Sequence, residues 1–287
     1  MPRPSSPYLD RIIDEAPIPV LDHGYVRVVD YCGNEEAIER AARQSYAAEP
    51  EARTADDRRT LLRYLMRHRH TSPLEMCELV IQAKLPIFVA RQWIRHRTAS
   101  VNELSGRYSV LDAEFYLPEI NQLCVQSTQN KQGKGEVAPM AAAAQDAIRT
   151  HCESAVDLYR WLLADEQDIA RELARIGLPL STYTTWTWKI DLHNLLHFLA
   201  LRLDAHAQYE IRAYADVLWK WVKGWVPVVA EAFEDYRLEA LTLSRPEVDA
   251  LRWLLRYDGG ADAPEVSVCL PNKREREEFK AKLQRLV

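Results

Sequence analysis

"RHRTASVNELSGR" (Arg95–Arg107) sets three arginines and a histidine around a single glutamate, with serines and a glycine between them. The segment is too polar for a core and too dense in chemistry for a spacer. With Arg91 just upstream it carries a local excess of three positive charges, in a chain whose net charge is −5. Ser105, Gly106 and Arg107 offer a hydroxyl, open backbone N–H groups and a guanidinium, the set that holds a phosphate. The planar guanidiniums of Arg95 and Arg97 suit a pyrophosphate or an aromatic ring. A solvated helix end followed by a polar loop is the plainer reading. It fits poorly, because exposed charges usually alternate in sign and these surround one carboxylate.

Working outward, "CELVIQAKLP" (77–86) places Leu79, Ile81, Ala83 and Leu85 on one face, as a half-buried strand does. Pro86 suits the first turn of a helix running through Arg97, which would put Arg91 and Arg95 on one side. From Thr98 the segment reads as a loop, and "AEFYLP" (113–118) as a strand. Further out, "YVRVVDYC" (25–32) predicts a strand. Asn34 then caps a helix carrying Ala37, Ile38, Ala41, Ala42 and Ser45, with Glu35 and Glu36 at its positive end. A second helix runs from about Asp56 to His68 and stops before Pro73. Helical patterns return at 141–164, 168–177 and 191–203, and in a run over 205–236 that breaks at Pro227. Strands gather early and helices late, which predicts an α+β fold. Residues 1–20 read as a loose proline-rich arm, 121–139 as a polar, mobile insertion and 245–287 as a charged helical extension. The main domain then spans 21–244.

Composition narrows the function. At 287 residues and 47% hydrophobic, the chain can bury a full core. The negative net charge argues against a general nucleic-acid binder. The five cysteines show no C-x-x-C spacing, as in a reduced, cytoplasmic protein. No signal sequence or run of about 18 apolar residues points to secretion or a membrane. The tryptophans at 186, 188, 219, 221 and 225 keep company with Leu, Val and Tyr, so packing explains them better than base stacking.

Two further clusters carry chemistry. In "RHRHTSPLE" (67–75), His68 and His70 fall at a helix C-terminus, where cations are favoured. In "DLHNLLHFLALRLDAHAQYEIR" (191–212), His193 and His197 are four apart, as are His206 and Glu210. That spacing admits an alternative, a metal-dependent hydrolase, although Asn194 stands where H-E-x-x-H needs its glutamate. Arg202 interrupts an apolar stripe, so it either pairs with Asp204 or meets a ligand.

The opening segment resembles the signature R-H-R-x-x-S-x-N-E-x-S-x-R of the flavin-dependent thymidylate synthases at every fixed position: Arg95, His96, Arg97, Ser100, Asn102, Glu103, Ser105 and Arg107. "HRHTSPLE", "PIFVARQW", "EFYLP", "ARIGLPLSTYT" and "LRLDAHAQYEIR" are similar too, so the likeness spans about residues 22–240. The resemblance implies an antiparallel sheet with helices packed on it. It implies conversion of dUMP to dTMP with methylenetetrahydrofolate as carbon donor, a bound FAD reduced by NADPH, and a homotetramer with shared sites. By position, His70, Ser72, Arg95, His96, Arg97, Glu103, Asp191, His193 and His197 would contact the flavin. Gln92, Arg95, Glu103, Leu104, Ser105, Gly106, Arg107, Arg175 and Arg202 would hold dUMP, with Arg202 catalytic. No metal, nucleic acid or membrane is implied, and no G-x-G-x-x-G follows a strand.

Overall fold

The computed structural model describes residues 5–44, 54–128, 133–257 and 263–285. Ser45, the ends of the expected arm and tail, and the centre of the 121–139 insertion lie outside them.

Sheet order is β1-β2-β3-β7-β4. β1 (Ile18–Val20), β2 (Gly24–Cys32), β3 (Glu78–Pro86), β4 (Ser100–Glu103) and β7 (Tyr183–Asp191) pair antiparallel throughout. β3 has the expected alternation, with Leu79, Ile81, Ala83 and Leu85 at most 1% exposed. Gly24 is required at the β1–β2 turn. A Cβ there would lie 2.5 Å from the Val20 carbonyl oxygen and collide with the Tyr214 hydroxyl.

The helices on this sheet are α1 (Pro7–Ile13), α2 (Glu35–Arg43), α3 (Ala55–Arg67) and α4 (Ile87–Trp93). After them come α5 (Ala141–Leu163), the short α6 (Arg171–Ala174), α7 (Leu192–Arg202), α8 (Tyr209–Trp225) and α9 (Pro227–Phe233). Asn34 caps α2 as expected, accepting from the Glu36 and Ala37 N–H groups. The α8–α9 break falls at Pro227. Trp93 forms the centre of the core, stacked on Phe198 at 4.9 Å and edge-on to Trp186, Trp188 and Tyr214. Trp186, Trp188, Trp219, Trp221 and Trp225 are all buried.

Several expectations are corrected. The arm is folded over its described part: Ser6 caps α1, Leu9 is fully buried, and the Tyr31 hydroxyl donates to Asp10 at 2.5 Å. Part of the loop expected after Thr98 is strand β4. Residues 113–118 form only an isolated bridge, Phe115 to Thr182, since Ala113 has a positive φ of 54° and Pro118 ends the segment. α4 stops at Trp93, so Arg95 lies beyond the helix that was to align it with Arg91. The helix expected over 168–177 shrinks to α6 and a 3-10 turn (Arg175–Gly177) after a left-handed Asp168. The insertion holds a hairpin of β5 (Cys124–Gln126) and β6 (Lys134–Val137).

The chain divides at Phe233/Glu234 rather than at 244/245. The second unit opens with a π-helical turn (Glu234–Leu238) and contains α10 (Arg245–Tyr257), α11 (Pro264–Cys269) and α12 (Lys273–Gln284). It has its own core of Ala250, Val266, Leu270 and Phe279.

Candidate active site

The Arg95–Arg107 segment leaves α4, crosses to the sheet edge as β4 and turns back. β4 pairs with β7, Val101 opposite Trp188 and Glu103 opposite Trp186. The Leu104 N–H extends the ladder to the Thr185 carbonyl at 2.7 Å. The Thr184 hydroxyl donates to Glu103 Oε1 at 2.7 Å, which engages one carboxylate oxygen. β7 has no counterpart in the sequence reading, although "YTTWTWKID" alternates buried Trp186, Trp188 and Ile190 with outward Thr187 and Lys189.

The structure sorts the candidate residues into groups. In the first, Arg202 ends α7, where a cation is favoured by the helix carbonyls. Its Nε donates to His96 Nε2 at 3.1 Å, and its Nη2 to the Gln92 carbonyl at 3.4 Å. Gln92 also meets Gln208 through their side-chain amides. Asp204 instead accepts from the His206 N–H and ring at 2.8 Å, so the ion pair weighed for Arg202 does not form. Burial holds the Arg202 pKa below its ordinary value. Burial, then the Arg202 charge, then His197 push His96 down to about 4, so its imidazole is neutral at pH 7. His96 meets Phe198 edge-on at 4.9 Å and His197 at 6.0 Å.

The second group is the phosphate-type turn. The Ser105 carbonyl accepts from the Tyr108 and Ser109 N–H groups at 3.1 and 3.2 Å, and its hydroxyl from the Arg107 N–H at 3.3 Å. Gly106 lies against Arg175: a Cβ there would sit 3.1 Å from Arg175 Cδ and 3.1 Å from Leu111 Cδ1. The Arg107 guanidinium reaches Glu172 Oε2 through Nε and Nη2, each at 3.1 Å. Beside it opens a cavity of ≈ 430 Å³ walled by Arg107, Tyr108, Val110, Leu163 and residues 168–172. No hydrogen bond or ion pair among the described residues joins this group to the first.

The third lies at the end of α3. Tyr64 packs on His68 at 4.4 Å and edge-on to His70 at 5.7 Å, with Ser72 exposed just beyond. The last is the start of α7, where Asp191 is the N-cap. Its Oδ1 accepts from the Asn194 N–H at 2.9 Å and its Oδ2 from the Asn194 side-chain amide at 2.6 Å. The Thr98 hydroxyl donates to Asn194 Oδ1 at 2.8 Å. His193 and His197 follow on α7, His193 half-buried and His197 exposed.

Arg95 and Arg97 are exposed and have no ion-pair partner among the described residues. A cleft of ≈ 210 Å³ lies between Ile94, His96, Arg97, Ala99, Val101, Trp186 and Trp188. Free guanidiniums and adjacent imidazoles fit a dinucleotide carrying a pyrophosphate. The metal alternative finds no support. No group of three or more His, Cys, Asp or Glu able to hold a metal occurs among the described residues, and buried Glu210 accepts from the Tyr116 hydroxyl at 3.2 Å. Sequence reasoning missed Thr98, Glu172, Thr184, Asn194 and Gln208, which position named residues without belonging to the signature.

The family description "Thymidylate synthase complementing protein" matches residues 27–228. A flavin-dependent thymidylate synthase of Ruegeria pomeroyi is 53% identical over 241 residues, covering 83% of this chain and 79% of the relative. One from Rickettsia conorii is 48% identical over 266 residues, covering 88% and 90%. The crystal structure of a UMP/dUMP methylase PolB from Streptomyces cacaoi, bound with 5-Br dUMP, superposes with a TM-score of 0.68. It is 34% identical and covers 77% of this chain and 99% of that one. The fold and the site thus define an α+β nucleotide enzyme of this class. The chain belongs to the flavin-dependent thymidylate synthase family.

Proposed function

We propose that Arg202, with Gln92 and Arg95, holds and activates dUMP in the family's reaction, the reductive methylation of dUMP to dTMP. Methylenetetrahydrofolate provides the carbon. FAD, reduced by NADPH, supplies the hydride when bound. The remaining work belongs to the chain. Ser105, Gly106, Arg107 and Arg175 take the dianionic phosphate, and Leu104 and Glu103 line the nucleotide between the two ligands. Arg95, His96, Arg97, Glu103, Asp191, His193 and His197 hold the flavin, with His70 and Ser72 at its folate side. Asp191 serves through the Asn194–Thr98 link, because both its oxygens are engaged there. Arg202 offsets negative charge developing on the uracil ring. The family works as a homotetramer with active sites shared between subunits. That agrees with the absence, among the described residues of one chain, of any hydrogen bond or ion pair between the Arg202 and Arg107 groups.

The observation that carries this reading is the Arg202–His96 contact. It joins residues 106 apart in sequence, bringing the signature segment to the cation proposed to activate the substrate. No described helix is long and apolar enough to cross a membrane. With five free thiols, the setting we infer is cytoplasmic.

The test is direct. Purified protein is expected to carry a non-covalent flavin, and to form dTMP from dUMP only when methylenetetrahydrofolate and NADPH are both supplied. Turnover without reductant, or a colourless active enzyme, rejects the reading.

A further inference from the structure

We infer that His96 is a positioning residue for Arg202: as a neutral acceptor at Nε2, it fixes the plane of the guanidinium and aims its free edge at the substrate. This rests on the proposed role of Arg202 and extends it.

A guanidinium has five N–H donors and no acceptor. In the 3.1 Å contact between Arg202 Nε and His96 Nε2, the histidine must therefore accept. That requires a neutral imidazole with its proton on Nδ1. The second tether, Nη2 to the Gln92 carbonyl at 3.4 Å, lies on the same side of the guanidinium. Together they use the Nε–H and one Nη2–H. Both Nη1 protons and the other Nη2 proton stay unspent, and one from each of the two nitrogens forms the parallel pair a planar ligand would meet.

An arginine left alone loses much side-chain freedom when it is ordered. Two fixed acceptors meet that cost before substrate arrives, which is how preorganisation raises a rate. His96 is itself held. Phe198 meets its ring edge-on at 4.9 Å, and Trp93, which begins the turn leading to His96, is fully buried. The His96 N–H donates to the Trp93 carbonyl at 3.0 Å, so the backbone is fixed as well. The charged and titratable groups around the imidazole are Arg202 and His197 on α7 and Arg97 on its own segment. All are cationic or neutral, and none favours protonation.

Four proteins decide the matter: His96→Leu, which removes the acceptor; His96→Gln, whose amide oxygen can replace it; Arg202→Ala; and the His96→Leu/Arg202→Ala double variant. For each, flavin occupancy, the dUMP dissociation constant from flavin absorbance changes, and kcat and KM are measured. His96→Leu is expected to lose at least tenfold in kcat, with dUMP affinity within threefold of wild type. His96→Gln is expected to recover most of that loss. The double variant is expected to match Arg202→Ala, because once the guanidinium is gone its holder has nothing to hold. Additive losses in the double variant, or equal losses in the Gln and Leu variants, overturn the inference. If His96→Leu does not fold, the Gln variant decides alone: kcat within threefold supports the role, and a hundredfold loss rejects it. Near-wild-type turnover in Arg202→Ala would instead remove the reading of Arg202 on which this one stands.

Discussion

Arg107 sits in a half-exposed ion pair with Glu172, both side chains more than half accessible. Such a pair contributes little, about 0–1 kcal/mol, so the phosphate proposed to bind here would displace the carboxylate at small cost. Arg107→Ala is expected to raise the KM for dUMP tenfold or more, about 1.4 kcal/mol, and to leave turnover of deoxyuridine unchanged. Unaltered preference for the phosphorylated substrate would place the anion site elsewhere. Cys77 offers a second residue-level test. Burial first, then the charges of Cys32 and Glu35, push its thiol up to about 12, so no thiolate is available there at neutral pH. Replacing all five cysteines with Ala or Ser is expected to leave dTMP formation intact in folded, flavin-loaded protein. Complete loss would instead point to a cysteine thiolate acting as nucleophile.

At the scale of elements, the structure shows what could be read from the chain and what could not. β2, β3, α2 and α7 followed from period and capping, because their buried faces are local patterns. β7 left an equally local pattern, Thr184, Trp186, Trp188 and Ile190, but the tryptophans were assigned to the core without being assigned to a strand. β4 left none: Ser100–Glu103 is exposed at every position, and only its pairing with β7 makes it a strand. For the same reason Thr184, Glu172 and Asn194 were invisible as site residues. Their roles exist only through partners 81, 65 and 96 positions away. The signature residues were legible because many fixed positions are packed into one segment.

The contact between the signature segment and α7 is also pH-sensitive. His96 titrates near 6.5 when exposed and about 4 in the fold, so between those values the unfolded chain binds more protons. Stability is therefore kept in full above about pH 6.5 and declines as pH falls towards 4. Thermal unfolding followed from pH 7.5 to 4 is expected to show a smaller decline in His96→Gln than in wild type. Identical profiles would mean that the fold does not depress the His96 pKa.

For the whole molecule, the relevant unit is the tetramer. Val101, Leu104, Tyr108, Ile176 and Leu180 are between 41% and 78% exposed in the single chain, on or beside the elements that carry the site. Apolar surface of this kind is what subunit association covers. If each site takes Arg202 from one chain and Arg107 from another, neither single variant is a dead end. Arg202→Ala and Arg107→Ala subunits, refolded together in equal amounts, are expected to regain about a quarter of wild-type turnover, since random mixing leaves that share of sites with both arginines. Absence of recovery in confirmed mixed tetramers would confine each site to one chain.

The Thr98–Asn194 hydrogen bond and the Asp191 cap behind it bear on how such sequences drift. One segment grips α7 at both ends, through Thr98 at its start and His96 at its finish. A change at position 98 alone leaves Asn194 Oδ1 without its donor, and a change at 194 alone removes the partners of the Thr98 hydroxyl and of Asp191 Oδ2, leaving Asp191 only the backbone N–H. Descendants of this chain are thus expected to exchange positions 98, 191 and 194 in concert, and an aligned set of relatives in which the three vary independently would contradict that coupling.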